Sequence, residues 1–224
     1  MNFVHICFHI FILQFLADVA KDKNLLIYIG FVFYTHTHTH THAQTLADTS
    51  DMDYVVTNTV VKAHLVSRQG LKLGQLTKRL TNAIYNPKTF AGIIWKQRAI
   101  GGCCLLFSNG KMIVNGFKSV ALCKKGARRY ARSIQVKIGE GVLKSVAVVT
   151  MTLLADLKQT LCLESLAVSL GGQYEPELFN ALILKKGKIH FSIFRSGKIV
   201  IVGVKSVKVV EAIIYPALLD ILMS

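Results

Sequence analysis

From Tyr54 onward the chain alternates between β-branched apolar runs and stretches whose apolar residues recur every three or four positions. YVVTNTVVKAHLV (54–66) predicts a strand, and GLKLGQLTKRLTNAIY (70–85), with Leu73, Leu76, Leu80 and Ile84 at helical spacing, predicts a short helix. FAGIIWKQ (90–97) and CCLLF (103–107) predict strands joined by a basic connection around Arg98, and KMIVNGF (111–117) predicts the next strand. Asn109-Gly110 between the last two is a type I′ hairpin signal, which requires positive φ at both positions. SVALCKKGARRYARSIQ (119–135) predicts a helix with one basic face. The order then recurs: a long β-rich run (142–157), a short helix (161–170), a hairpin (179–186 with 189–194), a Ser196-Gly197 turn, a strand (198–204) and a closing helix (206–222). Pro216 lies inside that last pattern and is expected to bend or interrupt it.

The recurrence is legible residue by residue. Residues 85–120 and 174–207 are imperfect copies in which Tyr85 matches Tyr174, Pro87 matches Pro176 and Phe90 matches Phe179. After a two-residue gap, Phe107 matches Phe194, Gly110-Lys111 matches Gly197-Lys198, and Gly116 matches Gly203. Two copies make a duplicated half-domain rather than a solenoid. The expected halves are 54–138 and 139–224, each with helices over one face of a curved antiparallel sheet, an α+β arrangement. The other face has no predicted cover and is the candidate binding surface. A pseudo-twofold surface suits a pseudo-symmetric ligand such as a DNA duplex. Hairpin tips near Arg98–Ala99 and Lys186–Gly187 would set Phe90 opposite Phe107 and Phe179 opposite Phe194, giving each half an aromatic pair on one face. Apolar wedges of that kind part base steps in the minor groove.

Charge sharpens this picture. The net charge of +15 is unevenly spread: residues 53–138 hold 16 Lys and Arg against 1 acidic residue, residues 139–224 hold 9 against 7. The basic half fits a polyanion, whose binding rests on neutralised phosphates and released counterions. The five cysteines form no framework or zinc spacing, and Cys103 and Cys104 read as small hydrophobes on opposite faces of a strand, which fits a reducing compartment. His64 and His190 lack partners at ligand spacing, Asp156 and Glu164 are isolated carboxylates, and neither a P-loop nor a GxGxxG occurs. No catalysis, metal or cofactor is expected. Residues 1–50 differ from the rest: an apolar stretch (3–20), a second apolar run (25–34) and a Thr-His tract. Neither run reaches spanning length, and no membrane association is expected. The segment reads as low-complexity and unstructured, and is what a misplaced start of the gene would add.

YNPKTFAGII, LLFSNGKMIVNG and ARRYAR resemble the first repeat of the TATA-box-binding proteins, and QYEPELF, SIFRSGKIVIVG and IIYPALL resemble the second. The resemblance covers residues 54–222 and implies a saddle: a ten-stranded antiparallel sheet, concave toward DNA, with helices on the convex side. It implies that Phe90, Phe107, Phe179 and Phe194 intercalate and that Asn58, Val60, Ala91, Leu105, Lys111, Ile113, Asn115, Thr150, Lys198, Val200 and Val202 contact the minor groove or its phosphates. It further implies that Glu175, Glu177 and Leu178 meet a transcription factor IIB-like partner. Lys124, Arg128, Arg129 and Arg132 lie on the helix that family members offer to regulatory partners, among which IIA-like and family-associated factors are expected. The implied function is a nuclear transcription initiation factor that binds and bends promoter DNA and recruits the preinitiation complex. Several positions depart from the family pattern: Thr150 replaces an asparagine, Thr152 and Ser192 replace apolar residues, Asn180 a proline, and Asn115 and Val202 a pair of threonines. These leave two alternatives open: a divergent paralogue with reduced TATA selectivity, and a saddle-shaped interaction scaffold that has lost DNA binding.

Overall fold

The computed structural model describes residues 54–68, 70–139 and 141–223. The reading of residues 1–50 lies outside them. Nine strands and their helices follow in the expected order: β1 (Tyr54–Val66), α1 (Leu73–Thr77), β2 (Ala83–Ile84), β3 (Gly92–Trp95), β4 (Cys103–Phe107), β5 (Lys111–Phe117), α2 (Val120–Ile138), β6 (Val142–Asp156), α3 (Leu163–Leu170), β7 (Ala181–Lys186), β8 (Ile189–Phe194) and β9 (Lys198–Val204). The chain closes with α4 (Val207–Val209), a π-helical turn (Val210–Ile214) and α5 (Tyr215–Met223). Every pairing is antiparallel, and the fold is α+β. The tenth strand implied by the resemblance is reduced to the single bridge between Gln173 and Ile183, the counterpart of the short β2–β3 pairing.

The chain forms two compact units. The first joins Lys62–Asn115 to Lys124–Ala147, and the second joins residues 54–61 and Gly116–Cys123 to residues 148–223. In the first unit β2, β3, β4 and β5 pair in sequence order. Strand alternation sends Ile93, Trp95, Cys104, Leu106, Met112 and Val114 to one face, all nearly or wholly excluded from solvent. The apolar stripe of α2 (Ala127, Tyr130, Ala131, Ile134) is equally buried, and the Trp95 and Tyr130 rings meet edge to face at 4.9 Å, which puts the helix on that face. Tyr130 also ties down the β3–β4 connection: its hydroxyl donates to the Gly101 carbonyl (3.1 Å) and accepts from the Gln97 N–H (3.1 Å). In the second unit the pairing order is β6-β9-β8-β7. Leu153, Ala155, Leu182, Leu184, Phe191, Ile193, Ile199 and Ile201 form one core with Leu163 and Leu166 of α3 and with Ala217, Leu218 and Ile221 of α5.

Two local expectations are corrected, and one is met. The helix predicted over 70–85 stops at Thr77; Asn82 takes positive φ (56°) and Ala83–Ile84 joins the sheet as β2. Trp95 secures that exit by donating its indole N–H to the Thr81 carbonyl (2.9 Å), a tertiary bond that local periodicity does not reveal. The Asn109-Gly110 turn is not type I′, because only Gly110 has positive φ (79°). The Gly110 N–H donates to the Phe107 carbonyl (2.9 Å), and Gly197 (φ 80°) repeats the bond to Phe194 (2.9 Å), so both are three-residue loops closed by a left-handed glycine. A Cβ at Gly110 would collide with the Leu65 carbonyl and one at Gly197 with that of Gln159. Pro216 interrupts the closing helix as expected: a wide π-helical turn, Val210–Ile214, separates its two α-helical parts and takes up the missing N–H and ring.

Candidate nucleic-acid interface

In each unit the remaining alternate residues point away from the helices. In the first unit they are Ile94 on β3, Cys103, Leu105 and Phe107 on β4, and Lys111, Ile113 and Asn115 on β5, joined through the pairs Ile94–Leu105, Leu105–Ile113 and Cys103–Asn115. In the second unit they are Thr152 on β6, His190, Ser192 and Phe194 on β8, and Lys198, Val200 and Val202 on β9, joined through Thr152–Val202, His190–Val202 and Ser192–Val200. Asn58 and Val60 alternate with the solvent-excluded Val61 on β1, and Thr150 precedes Met151, which belongs to the helix-side core. Ile94 and Cys103 were not singled out from sequence; their register partners Leu105 and Asn115 place them here. Ala91, exposed just ahead of β3, is out of step with the alternation and does not join the set.

The phenylalanines meet, though not as the expected register had it. Phe107 stands opposite Gly92, and Phe194 opposite Ala181, so Phe90 and Phe179 each lie two residues ahead of the strand, in the preceding turn. Both hairpin tips fall one residue later than expected; in the second, the loop is Gly187 (φ 62°) and Lys188, between paired Lys186 and Ile189. The turns that deliver the outer rings are alike: the Phe90 N–H donates to Asn86 and the Phe179 N–H to Glu175, each at 2.9 Å. The rings still pack edge to face, at 5.6 Å for Phe90–Phe107 and 6.2 Å for Phe179–Phe194. Such contacts contribute about 0.5–1.5 kcal/mol beyond burial. Gly92 allows the first pair, because a Cβ there would meet the Phe90 ring at 3.0 Å and the Phe107 ring at 3.3 Å.

The polar residues are few and incompletely paired. Asn58 accepts the Gly116 N–H through Oδ1 at 2.8 Å, which fixes its amide orientation and leaves Nδ2 buried with no partner. Asn115 Oδ1 is likewise buried and unpartnered. Thr150, Thr152 and Ser192 bring hydroxyls to the same side of the second unit. Lys111 and Lys198 begin their strands just after the glycine turns, Lys198 exposed and opposite Asp156. Glu175, Glu177 and Leu178 are exposed in the turn before Phe179, and Leu178 is an unusually open apolar side chain at 81%. On α2, Arg128, Arg129 and Arg132 are exposed and Lys124 is half-buried. The titratable groups here are tuned by burial, not for reaction: the Cys103 thiol is pushed up to about 11, mainly by desolvation, and Cys104 well above its ordinary value. Desolvation, aided by Lys185, lowers the His190 pKa.

The family described as Transcription factor TFIID, or TATA-binding protein, matches residues 53–136 and 145–222 by its sequence profile. The chain belongs to the TATA-binding protein family. It is 40% identical over 156 residues to TATA-box-binding protein 1 of Triticum aestivum, covering 67% of this chain and 66% of that one. It is 41% identical over 162 residues to the TATA-box-binding protein of Saccharomyces cerevisiae, covering 70% and 66%. Thus the chain spans about two thirds of the length of these relatives. The solved TATA-binding protein of Methanococcus jannaschii superimposes with a TM-score of 0.65 at 26% identity, over 77% of this chain and 99% of that one. The family is one of DNA-binding transcription factors, not enzymes.

Away from the lysines and His190, the centre of this face is buried: Leu105 and Ile113 are each 3% exposed, Asn115 2%, Thr152 1% and Val202 6%. In the second unit the helix-side core takes in Ile199 and Ile201 but neither Val200 nor Val202. The helices therefore account for the burial of one face only.

Proposed function

We propose that this protein is a nuclear transcription initiation factor that binds promoter DNA through the minor groove, bends it by phenylalanine insertion and nucleates a preinitiation complex. The observation that carries the reading is the recurrence of an edge-to-face phenylalanine pair in each unit, beside a strand face that is apolar apart from a few amides and hydroxyls. A ring held by one edge contact leaves its partner for a base step at modest cost, and base unstacking is repaid by the wrapped surface. The A·T minor groove offers only acceptors. Asn58 answers it: its oxygen is occupied by Gly116, so only donors are left to present. Lys111 and Lys198 supply phosphate contacts. Glu175, Glu177 and the open Leu178 offer an acidic, apolar-centred edge to a factor IIB-like partner. The basic residues of α2 suit IIA-like or family-associated factors.

Thr150, Thr152, Ser192 and Val202 favour a second reading, a divergent paralogue with reduced TATA selectivity. A hydroxyl is shorter than an amide and bridges two acceptors less well. Resonance-energy-transfer bending of a TATA duplex against scrambled and G·C-substituted duplexes, at one fixed salt concentration, tests both. Bending of TATA alone supports the first reading, equal bending of all three the second. If no duplex is bound, the chain is an interaction scaffold and both readings fall.

A further inference from the structure

We propose that His190 reads the minor groove from the second unit, accepting either base pair while neutral and only A·T once protonated, so that the sequence preference of this protein sharpens as pH falls. The inference rests on the minor-groove reading and deepens it at one position.

Strand pairing lines up a row of four side chains across the second unit. Lys185 on β7 stands opposite His190 on β8, His190 opposite Val202 on β9, and Val202 opposite Thr152 on β6. Their strand neighbours Leu184, Phe191, Ile201 and Leu153 belong to the helix-side core, which sets the row on the other face. His190 precedes Phe194 by four residues, as Cys103 precedes Phe107 in the first unit. The two units therefore present different chemistry at matched positions: an imidazole that titrates near neutral pH, and a thiol that stays uncharged over the same range.

The neighbours of His190 set its charge. Lys185 faces it from β7, and Lys188 lies in the hairpin loop just before it. Val202 and Thr152 are uncharged, Asp156 is at the far end of β6 opposite Lys198, and Asp220 pairs with Lys186 at 3.8 Å. A cation opposite an imidazole disfavours its protonated form, so the free protein holds His190 neutral at neutral pH. A duplex brings phosphates and a row of groove acceptors, and both favour the imidazolium. On an A·T step the bound pKa is thus above the free one. The affinity this contributes is fully present below the free value and is lost as pH rises through the bound value. At a G·C step the guanine amino group needs the acceptor nitrogen that only neutral imidazole has, so protonation there weakens binding.

The test is Kd by fluorescence anisotropy at one salt concentration across the ordinary histidine range, about pH 5.5 to 7.5. The duplexes are a TATA box and a set in which a single G·C pair is moved step by step along it. For wild type, the preference for A·T at one step is expected to grow about tenfold as pH falls, equivalent to one unit of pKa, with the remaining steps unchanged. His190→Gln keeps a donor and an acceptor but does not titrate, and its preference at that step is expected to stay flat. Lys185→Met is expected to move the midpoint of the wild-type change to higher pH. A wild-type preference that pH moves equally at every step, or no more than in His190→Gln, overturns the assignment of His190 while leaving minor-groove binding intact. The comparison between steps is made within wild type, so it holds whatever the stability of the variants. If no duplex binds at any pH, the minor-groove reading falls and the role of His190 falls with it.

Discussion

Replacing Asn58 by aspartate changes chemistry at one atom and leaves shape alone. The new carboxylate keeps an oxygen for the Gly116 N–H, now 2.8 Å from Oδ1, and substitutes a second oxygen for the buried, unpartnered Nδ2. Against an A·T groove that swap removes two donors and sets an acceptor against acceptors. A neutral hydrogen bond contributes about 0.5–1.5 kcal/mol net, and an unpaired buried acceptor costs about 1–3 kcal/mol. The loss on a TATA duplex is therefore about 2–3 kcal/mol, roughly 30- to 150-fold in Kd. A duplex with one G·C pair at the centre presents the guanine amino donor instead, so its affinity should fall less, and the TATA preference should shrink or invert. The assay is fluorescence anisotropy on the two duplexes at the same salt concentration, with thermal unfolding followed separately. Because Asn58 is 4% exposed, burial raises the pKa of the new carboxyl above its unfolded value. The variant should be destabilised at neutral pH and recover as pH falls through that raised value. An equal loss on both duplexes, or none on either, refutes the assignment of Asn58 as a donor to the groove.

Tyr130→Phe strips partners from the Gln97 N–H and the Gly101 carbonyl, and should lower stability by about 2 kcal/mol, a fall of roughly 4–8 °C in Tm, with duplex affinity unchanged. Gly197→Ala demands a left-handed alanine whose Cβ collides with the Gln159 carbonyl; a loss of about 2 kcal/mol or more in urea unfolding is expected. His190 has a lowered pKa, so the unfolded chain takes up its proton first; its contribution is intact above about 6.5 and is lost as pH falls toward the folded value. His190→Gln should accordingly flatten the acid side of the stability–pH curve, measured by urea unfolding at a series of pH values.

Much of the fold was legible because a duplication repeats its own signals. The order of strands and helices, both glycine turns and the basic α2 follow from alternation, turn residues and charge, each seen twice or over many residues. Where a tertiary bond competes with a local pattern, the pattern lost. Leu80 and Ile84 continue a helical period, yet Trp95 holds the Thr81 carbonyl and Ile84 pairs with Ile94 instead. Asn109-Gly110 reads as a two-residue turn, yet the register of β4 with β5, Leu106 opposite Met112, leaves three residues to close it. The phenylalanine pairs were expected from matched positions, but their placement in a turn and a strand rather than on opposed strands depends on where each hairpin folds back.

The sequence alone determined which residues are apolar, which are basic and which recur, and from these the α+β class, the duplication and the family. Those properties are carried by composition and spacing along one chain. Only the tertiary structure decided which atoms are already used. The oxygen of Asn58 is committed to Gly116 and its nitrogen is not, while the oxygen of Asn115 is stranded, although both residues are simply Asn in the sequence. It also showed that Leu105, Ile113, Thr152 and Val202, on the strand face opposite the helices, are buried, since burial depends on what lies above a residue and not on what stands beside it in the chain.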